Sequence, residues 1–559
     1  MASSAVISPR RRTALLWQVP ILLLVWFYLV GLHPENDGLW FPGDAPRHAA
    51  NGVFWKDLIA ALPVNPIDFA VNYYLRYPVI SPSAYPPGFY WLEAVAFSLL
   101  GVSPFIGKGI VLAFTLMAAL YLMAWLRRWV SEEAGWGGAL LILQPGVIVW
   151  SHAIMLNIPS MALGLAALYH TRRWIETPHI RHLSIAAIFA AVGILTYVHT
   201  GVVLLVALAW MGTEHRWPMT RKPRGMLIIL GLLSVVVMLP IMVAFKWAPI
   251  HLSLVFPTVQ QVSRPSHWLY YLTIVPKLIS VPTLILALAG AVVGIRHPDR
   301  RREVKLALIW LVIGYLILSY ILAKELRYAL LLVPPIVILS MIGLLSLTQW
   351  GAELRGRPSP GFFHAGLALI LAVHLWGAAR VFVPVVNGFQ DIVAFLIQKA
   401  PHERIFYEGR LNGVFSFYMR AEDPKFQRTV VRGSKLLYAS AIDAQWHLIQ
   451  RVASPAEVIE VLRKECGCKW LVIERAEEAA TRAIPAVDYL RAAVRGPEFE
   501  LITSFRIHVD LNAGENPDDG DVFLDVYQFL SSIEVPDGLE FRMPILGEGA
   551  VIHGKPIER

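Results

Sequence analysis

Residues 10–31 read RRRTALLWQVPILLLVWFYLVG, with three arginines directly before an apolar run at 13–31. This run is longer than the hydrophobic region of a cleavable signal peptide, and no small-residue cleavage pattern follows it. Its length is close to the roughly 20 residues with which an α-helix crosses a bilayer. We therefore predict a first membrane span, and the arginines predict that it begins on the cytoplasmic side.

Further apolar stretches continue this pattern, and basic tracts recur at alternate breaks between them. The predicted spans are 13–31, 104–126, 136–150, 158–171, 182–197, 200–214, 225–245, 281–295, 304–322, 328–348 and 362–383. The basic tracts that then share one side are 10–12, 127–128, 172–173, 216–224, 296–305 and 355–357. Because loops rich in Lys and Arg stay cytoplasmic, about 11 spans place the remaining loops and the C-terminal part outside.

The composition agrees with a membrane protein. Of the 559 residues, 56% are hydrophobic and only 16% are charged, and the mean hydropathy is +0.55. Soluble proteins carry about 25% charged residues. A net charge of +9 would ordinarily suggest nucleic acid as a partner. Here much of the excess lies in the short loops that orient the spans, so we expect a lipid bilayer and no nucleic acid.

A long outer loop, residues 32–103, separates the first two spans and is rich in proline and tyrosine. A loop of this length is usually functional, and its aromatic content argues against disorder. We do not count its apolar stretch Gly88–Leu100 as a span, because it is short and would invert every later loop. We predict instead an interfacial helix on the outer surface, with Tyr90 and Trp91 at the level of the lipid headgroups.

From Asn387 onward the composition is that of a water-soluble domain. The predicted fold is mainly α, with a transmembrane helix bundle at 1–386 and an extracytoplasmic α/β or α+β domain at 387–559. The predicted strands are 404–407, 414–418, 428–431, 470–474, 499–509 and 522–529, and the predicted helices are 392–399, 455–464 and 486–493.

The only two cysteines, Cys466 and Cys468, are separated by one glycine in this domain. Two ligands are too few for a zinc site, and a disulfide across a single residue is strained. We therefore expect a structural or incidental role for both cysteines.

The strongest local signal in the outer loop is FPGDAPRHAANG at 41–52. Asp44 follows a turn and precedes a predicted helix, where a carboxylate is well placed to act as a general base toward a bound hydroxyl. The alternative is that Asp44 only caps this helix. Arg47 and His48 are candidate substrate-binding residues beside it. The weaker acidic candidates in the loop are Glu35, Asp37, Asp57 and Asp68.

Two other outer segments contain candidate binding residues. Tyr85 begins YPPGFYWL, in which two prolines fix an extended entry to the interfacial helix, although a rigid transition to the membrane would explain them equally. The run KELRY at 324–328 puts cations on the outer side, against the usual trend. Arg327 would suit the phosphate of a membrane lipid, and interfacial snorkelling beside a Lys–Glu pair is the alternative. The substrate-binding candidates of this run are Lys324, Glu325, Arg327 and Tyr328.

Asn157 and His199 complete the candidate substrate-binding residues. Asn157 opens a predicted span in the sequence NIP, where a helix cap would also explain it. His199 lies near the outer end of a span, and a lone histidine there is more often packed than catalytic.

Together these segments resemble the multi-span, C-type glycosyltransferases that use polyprenyl-phosphate sugars, among them protein O-mannosyltransferases and lipid A aminoarabinose transferases. The resemblance covers roughly residues 13–350 and rests on the order of four features. These are the loop acid Asp44, the Pro-Pro-aromatic entry after Tyr85, the polar-x-Pro at Asn157, and the Lys-Glu-x-Arg-Tyr run that ends at Tyr328.

The resemblance implies that Asp44 is the acceptor-activating base and that Arg327, with Lys324 as a second cation, holds the lipid phosphate. There are three departures: Ala45 replaces a frequent second acid, Asn157 a frequent aspartate, and Tyr85 a frequent His or Lys before Pro-Pro. They argue against a two-carboxylate or metal-assisted site. No metal site and no cofactor are predicted, although a divalent cation stays open.

The implied reaction moves a sugar from a polyprenyl-phosphate donor to an acceptor hydroxyl on the extracytoplasmic face, with inversion. Developing charge on the leaving phosphate would be stabilised by fixed cations, and a carboxylate on the opposite side would take the acceptor proton. A hexose or a pentose, and a protein, lipid or glycan acceptor, remain open alternatives.

The implied location is the bacterial inner membrane, with a multi-pass chain whose active site and C-terminal domain are extracytoplasmic. The main rival class is a transporter or lipid flippase, which often shows internal repeats and charges near the bilayer midplane. The chain shows no visible repeat, keeps most charges out of its spans, and devotes about 70 residues to one long outer loop. A non-catalytic scaffold that binds lipid or glycan is a third alternative.

Overall fold

The computed structural model describes residues 9–41, 43–82, 85–214, 258–354, 360–441, 447–475, 484–511, 520–536, 538–542 and 551–553. The predicted span 225–245 and the basic tracts 216–224 and 355–357 lie outside these residues. Helices make up the described chain up to Ala378, and a mixed sheet with flanking helices follows.

The first part of the chain is helical, and its α-helices are numbered here in chain order. They are α1 (Pro9–Gly31), α2 (Ala45–Ala61), α3 (Pro66–Arg76), α4 (Gly88–Leu100), α5 (Pro104–Trp129), α6 (Gly137–Ile142), α7 (Pro145–Ser151), α8 (Asn157–Glu176), α9 (Ile180–Thr196), α10 (Val202–Thr213), α11 (Val259–Val262), α12 (Pro265–Leu278), α13 (Val281–Gly294), α14 (Pro298–Tyr320), α15 (Val333–Leu354) and α16 (Pro360–Ala378).

Several of these helices are long and apolar enough to cross a membrane. By length and composition, the described residues contain four such helices, or up to six if each bent pair counts as one span. The four are Pro104–Trp129, Pro298–Tyr320, Leu326–Gly351 and Gly361–Ala378. The multi-pass helical architecture is therefore present, while the count of about 11 and the orientation remain predictions.

The predicted span at 136–150 is broken by a bend of 54° between Glu133–Ile142 and Pro145–Ser151. Pro145 cannot donate the hydrogen bond that an unbroken helix needs at this point. The buried amide of Gln144 instead donates to the hydroxyl of Thr283 (3.2 Å) and accepts from the backbone N–H of Ser280 (3.1 Å). Because Ser280 lies at the break between α12 and α13, one side chain connects the two bent pairs.

The outer loop folds into α2, α3 and α4, and α4 has the bounds predicted for the interfacial helix. Its exposed face is apolar, since Trp91, Val95 and Leu99 are 42%, 57% and 78% exposed. The prediction for Tyr90 is wrong. Its ring is fully buried against α2, because position 90 falls on the opposite face of the helix from these exposed residues.

The C-terminal sheet is mixed and has the strand order β1-β7-β8-β6-β2-β3. The strands β2, β3 and β6 are mutually parallel, and the other pairs in this sheet are antiparallel. The strands are β1 (Val385–Asn387), β2 (Arg404–Glu408), β3 (Thr429–Arg432), β4 (Tyr438–Ala441), β5 (His447–Gln450), β6 (Cys468–Glu474), β7 (Phe499–Asp510), β8 (Gly520–Phe529), β9 (Glu540–Arg542) and β10 (Val551–His553). The helices are α17 (Phe389–Lys399), α18 (Asn412–Ala421), α19 (Gly433–Leu436), α20 (Pro455–Glu460) and α21 (Pro485–Ala493).

The predicted strand at 414–418 is wrong, because these residues lie within the helix α18. Residues 413–420 are all buried, so this helix is enclosed by the rest of the protein on every side. A short apolar run of this kind is compatible with a buried strand or a buried helix, and only packing distinguishes them.

The cysteines that flank Gly467 form a disulfide, with Gly467 in the left-handed region at φ 58°.

The C-terminal domain is bonded to the outer loop through buried side chains. The hydroxyl of Tyr418 donates to Asp37 (2.6 Å), and the hydroxyl of Tyr77 donates to Asp423 (2.6 Å). The guanidinium of Arg420 donates to the hydroxyl of Tyr73 (2.9 Å) and to Asp57. These bonds hold the C-terminal domain against the start of α2, where the candidate site lies.

Candidate active site

Asp44 occupies the N-cap position of α2, but its side chain does not cap the helix. Its backbone carbonyl accepts the N–H of His48 (2.8 Å), which is an ordinary first helical bond. Its carboxylate instead accepts from Arg327 through Oδ2 (2.8 Å) and from Arg47 through Oδ1 (3.1 Å). The capping alternative is therefore wrong for the side chain, which faces two cations.

Arg327 comes from a 3₁₀ turn, Leu326–Leu332, that precedes α15. Pro334 and Pro335 explain this break, because proline inside a longer α-helix would clash with the carbonyl four residues earlier. The guanidinium is nearly buried and lies 4.4 Å from the ring centroid of Phe41, while Nη1 is 3.8 Å from the sulfur of Met155. Its Nε has no hydrogen-bond partner among the described residues. The cation is thus held in place and keeps one donor free.

The electrostatics of the pair favour an ionised carboxylate. Burial alone would raise the pKa of Asp44, but the positive charge of Arg327 and the interactions with His48 and Arg47 outweigh it. The net effect holds the pKa of Asp44 below its ordinary value of 3.8. At neutral pH this side chain is therefore a carboxylate that can accept a proton.

His48 and Tyr85 flank the pair. Nδ1 of His48 is 2.8 Å from the hydroxyl of Tyr90, and the ring of Tyr85 lies 4.8 Å from the imidazole. Burial, with Arg327 and Arg47, lowers the pKa of His48 to about 3 in spite of the opposing charge of Asp44. Burial and the charge of Asp44 raise the pKa of Tyr85 to about 12. Both side chains are consequently neutral hydrogen-bonding groups at physiological pH.

An aromatic wall joins Tyr85 to the run that carries Arg327. Tyr197 lies 6.5 Å from Tyr85 and 4.4 Å from His199, and His199 lies 4.7 Å from Tyr328, measured between ring centroids. The structure thus brings His199 and Tyr328 to the site. It also adds Tyr90 and Tyr197, which the sequence reading missed. Tyr90 had a signal, since it lies within the segment that begins at Tyr85.

Three predicted residues are not bonded to the Asp44–Arg327 pair in the described part of the chain. The ammonium of Lys324 donates to the carbonyls of Ser319 (2.6 Å) and Ile321 (3.0 Å), at the end of α14. Glu325 uses its backbone carbonyl to accept the N–H of Tyr328 (3.1 Å). Asn157 is the first residue of α8 rather than its cap, which excludes the capping alternative for it.

Three of the other acidic candidates in the outer loop have structural partners. Asp37 accepts from Tyr418 and from the N–H of Leu39 (2.8 Å), and Asp57 accepts from Arg420, Tyr73 and Lys56. Glu35 lies 3.7 Å from His33 at the exposed end of the loop. Within the described ranges, no group of three or more His, Cys, Asp or Glu side chains is arranged to hold a metal ion.

Known proteins share features with this chain. Residues 84–243 match the family model described as dolichyl-phosphate-mannose-protein mannosyltransferase. No curated protein matches the sequence.

The fold is similar to that of solved membrane glycosyltransferases. ArnT from Cupriavidus metallidurans bound to undecaprenyl phosphate is 15% identical, with a TM-score of 0.59, and the match covers 91% of this chain and 97% of that one. The oligosaccharyltransferase AglB from Archaeoglobus fulgidus, in complex with an inhibitory peptide and a dolichol-phosphate, is 13% identical, with a TM-score of 0.52 and coverages of 82% and 69%. The arabinofuranosyltransferase AftD from Mycobacteria is 14% identical, with a TM-score of 0.51 and coverages of 94% and 42%.

The family model over part of the chain, and the fold over most of it, confirm the resemblance to the C-type glycosyltransferases that was predicted from the sequence.

Proposed function

We propose, from the confirmed resemblance to the C-type glycosyltransferases, that this chain transfers a sugar from a polyprenyl-phosphate donor to an acceptor hydroxyl. The reaction takes place on the extracytoplasmic face of a bacterial inner membrane, and it inverts the anomeric carbon. Asp44 is the general base and Arg327 binds the donor phosphate. The acceptor is a protein, a lipid or a glycan, and the sugar is a hexose or a pentose.

The Asp44–Arg327 contact is the observation that carries this proposal. A carboxylate and a guanidinium separated by 283 residues meet at 2.8 Å. Glycosyl transfer from a lipid phosphate needs both groups, a proton acceptor for the attacking hydroxyl and a fixed cation for the leaving phosphate. Arginine suits the second role because it presents several donors to phosphate oxygens.

The transfer can be followed bond by bond. The acceptor oxygen attacks the anomeric carbon and its proton passes to the carboxylate of Asp44. The bond between the anomeric carbon and the phosphate oxygen breaks, and its electron pair stays on that oxygen, where Arg327 stabilises the charge. Attack from the face opposite the leaving phosphate inverts the anomeric centre.

Donor binding would also prepare the base. A phosphate that approaches Arg327 competes with the carboxylate of Asp44 for the same guanidinium. When the phosphate neutralises this cation, the largest influence that lowers the pKa of Asp44 is weakened, so the carboxylate becomes a stronger base. Proton abstraction is thereby favoured only when the donor is in place.

The surrounding neutral groups suit a sugar. The aromatic wall from Tyr85 through Tyr197 to Tyr328 offers ring faces and hydroxyls next to the pair. His48, fixed by Tyr90, can donate or accept a hydrogen bond without adding charge. Such groups bind a neutral sugar ring while the two charged side chains remain devoted to the reaction.

The experiment follows release of polyprenyl phosphate from short-chain polyprenyl-phosphate sugars by the full chain in nanodiscs. Asp44→Asn keeps the shape of the side chain and removes its basicity, and we expect release to collapse while lipid binding persists. Asp57→Asn serves as the matched control, since Asp57 lies in the same helix but away from Arg327. Release that is unaffected in Asp44→Asn would contradict the assignment of the base. Translocation of the lipid without release would instead support a transporter.

A further inference from the structure

A second group of cations lies on the side of Arg47 that faces the C-terminal domain. Arg47 is bonded to Asp44 through Nη1 (3.1 Å) and is about one-third exposed, at 35%. Arg432 ends strand β3, and its Nη1 donates to the backbone carbonyl of Pro78 in the outer loop (2.8 Å). Lys435 follows three residues later in α19. Two domains therefore contribute positive charge to one group of side chains, Arg47, Arg432 and Lys435, called here the cation cluster.

Close backbone packing brings these residues together. Gly413, at the start of α18, is so near the outer loop that a Cβ placed on it would lie 3.3 Å from Cβ of Pro46 and 3.6 Å from the side chain of Val79. Pro46 precedes Arg47, and Val79 follows the residue that accepts from Arg432. The edge of the C-terminal domain therefore lies directly beside the start of α2.

The cation cluster has more hydrogen-bond donors than acceptors. Nε of Arg432 and the hydroxyl of Ser434 are buried without a hydrogen-bond partner in the part of the chain that the structure describes. A buried donor left unpaired is destabilising, so such groups usually have a partner in the working protein. Burial, then Arg432 and Arg47, lower the pKa of Lys435 to about 8, which leaves the ammonium mostly charged at neutral pH.

Glu408 is the acid beside Arg432, and it does not balance this charge. Its carboxylate accepts from the hydroxyl of Tyr438 (2.8 Å), and burial raises its pKa to about 7. A carboxyl group with this pKa is only partly ionised at neutral pH. Asp44, on the other side of Arg47, is shared with Arg327. The cation cluster therefore keeps an excess of positive charge.

We propose that Arg47, Arg432 and Lys435, with the hydroxyl of Ser434, form a binding site for a phosphate or carboxylate group of a substrate. Charged nitrogen donors around a hydroxyl donor are the usual partners of such oxyanions. The anion comes either from an acidic acceptor or from the phosphate of the donor lipid. That it belongs to a substrate rests on the proposed function, whereas binding of an anion here does not.

The position of this site has a consequence for the acceptor. Arg47 separates it from Arg327, so an acceptor held by its own anionic group from the C-terminal side approaches Asp44 from the side away from the donor phosphate. The C-terminal domain then selects acceptors by charge, and acidic acceptors bind more tightly than neutral ones.

The test uses inorganic phosphate as the probe and the full chain in nanodiscs saturated with short-chain polyprenyl phosphate, which occupies Arg327. The unfolding midpoint is followed against phosphate concentration, with chloride at equal ionic strength as reference. We expect phosphate to raise the midpoint of the wild type and Lys435→Gln to weaken its affinity about tenfold. Lys435→Arg should restore it. The control is Lys469→Gln, a more exposed lysine of the same domain that lies 3.9 Å from Glu403.

A second arm measures binding of the short-chain polyprenyl phosphate itself to the same variants. If Lys435→Gln weakens only inorganic phosphate, the site is separate from the donor and serves the acceptor. If it weakens the lipid phosphate about tenfold, the site holds the donor. If neither affinity changes, the anion site does not exist. None of these measurements needs turnover, so a failure of the proposed reaction would be seen separately in Asp44→Asn.

Discussion

Two carboxylate–arginine pairs involve the helix α2 and its N-cap. Each joins an aspartate to an arginine that is distant in the sequence, but the two pairs have different surroundings. Asp44, at the start of the helix, shares its oxygens between Arg327 and Arg47 and is 17% exposed. Asp57, near its end, accepts from Arg420, Tyr73 and Lys56 and is 8% exposed. The oxygens of Asp57 are saturated by a tyrosine and two cations in a closed interface. Asp44 is shared by two arginines and is about twice as exposed.

The comparison shows that a buried ion pair does not by itself mark an active site. Both arginines are distant in sequence from their aspartates, and both pairs are short. What distinguishes them is the neighbouring set of groups, which is a structural hydrogen-bond network at Asp57 and a row of neutral rings at Asp44. A set of variants can test this difference.

The largest expected effect is on stability, from Arg420→Gln. The substitution removes the nearer and more deeply buried of the two cations that Asp57 accepts from, and breaking one partner of a buried pair typically costs about 3–5 kcal/mol. We expect chemical denaturation to show this loss, while the protein that remains folded keeps its kcat. Lys464→Gln, at a fully exposed pair with Glu460, should leave the denaturation curve unchanged. Equal loss of kcat and stability in Arg420→Gln would mean that the two pairs are not independent.

The next effect is on turnover, from Arg327→Gln. Loss of one charged donor to the leaving phosphate should lower kcat roughly 10²–10³-fold. Affinity for the lipid phosphate should fall in the same variant. Because the positive charge no longer lowers the pKa of Asp44, the acid limb of kcat/KM should move to higher pH. An unchanged kcat would remove Arg327 from the phosphate site.

A smaller effect is expected from Tyr90→Phe. The change removes one hydroxyl, which lies 2.8 Å from Nδ1 of His48, and keeps the packing of the ring. Loss of one neutral hydrogen bond corresponds to about 1 kcal/mol, or roughly fivefold in kcat/KM. Tyr121→Phe, a hydroxyl 3.3 Å from His170 elsewhere in the bundle, is the matched control. If both variants behave alike, His48 has no special role.

The smallest effect is expected from pH between about 8 and 5. The folded-state pKa of Asp44 lies below 3.8, and burial with the nearby arginines lowers that of His48 to about 3. The stabilisation by the Asp44 pair is therefore fully present above the ordinary carboxyl pKa, and it is lost only as the pH falls through the lower folded value. Because neither Asp44 nor His48 changes its charge over this interval, we expect the two groups to leave kcat/KM constant. A pH–rate profile will check this.

Sequence reasoning was accurate where the signal is local. The helix Gly88–Leu100 and five of the ten described strands of the C-terminal domain follow from length and alternation, as in the strand β2 at Arg404–Glu408. It failed at 414–418, where a short, mainly apolar run is buried on every side and suits a buried strand as well as a buried helix. It also placed Tyr90 in the headgroups, since the face that a helix buries depends on partners that the helix itself does not encode.

The candidate site was predicted in part. Asp44 and Arg327 were named separately, and the order of motifs along the chain favoured both, but their 2.8 Å contact depends on packing across 283 residues. Tyr197 escaped prediction because nothing local distinguishes it from other tyrosines at span ends. The partners of Asp37 and Asp57 were also not predicted, because Tyr418 and Arg420 belong to another domain.

The contacts between the outer loop and the C-terminal domain can form only late in synthesis, because their partners are far apart in the sequence. Asp57 and Arg420 are separated by 363 residues, and Asp37 and Tyr418 by 381. At about 5–20 residues per second, a ribosome needs roughly 20–70 seconds to travel from one partner to the other. Throughout that interval the loop carries unmatched acids, and a chain that stops before the last domain never matches them. A truncated chain would therefore present this loop to proteases without the contacts that protect it in the complete fold.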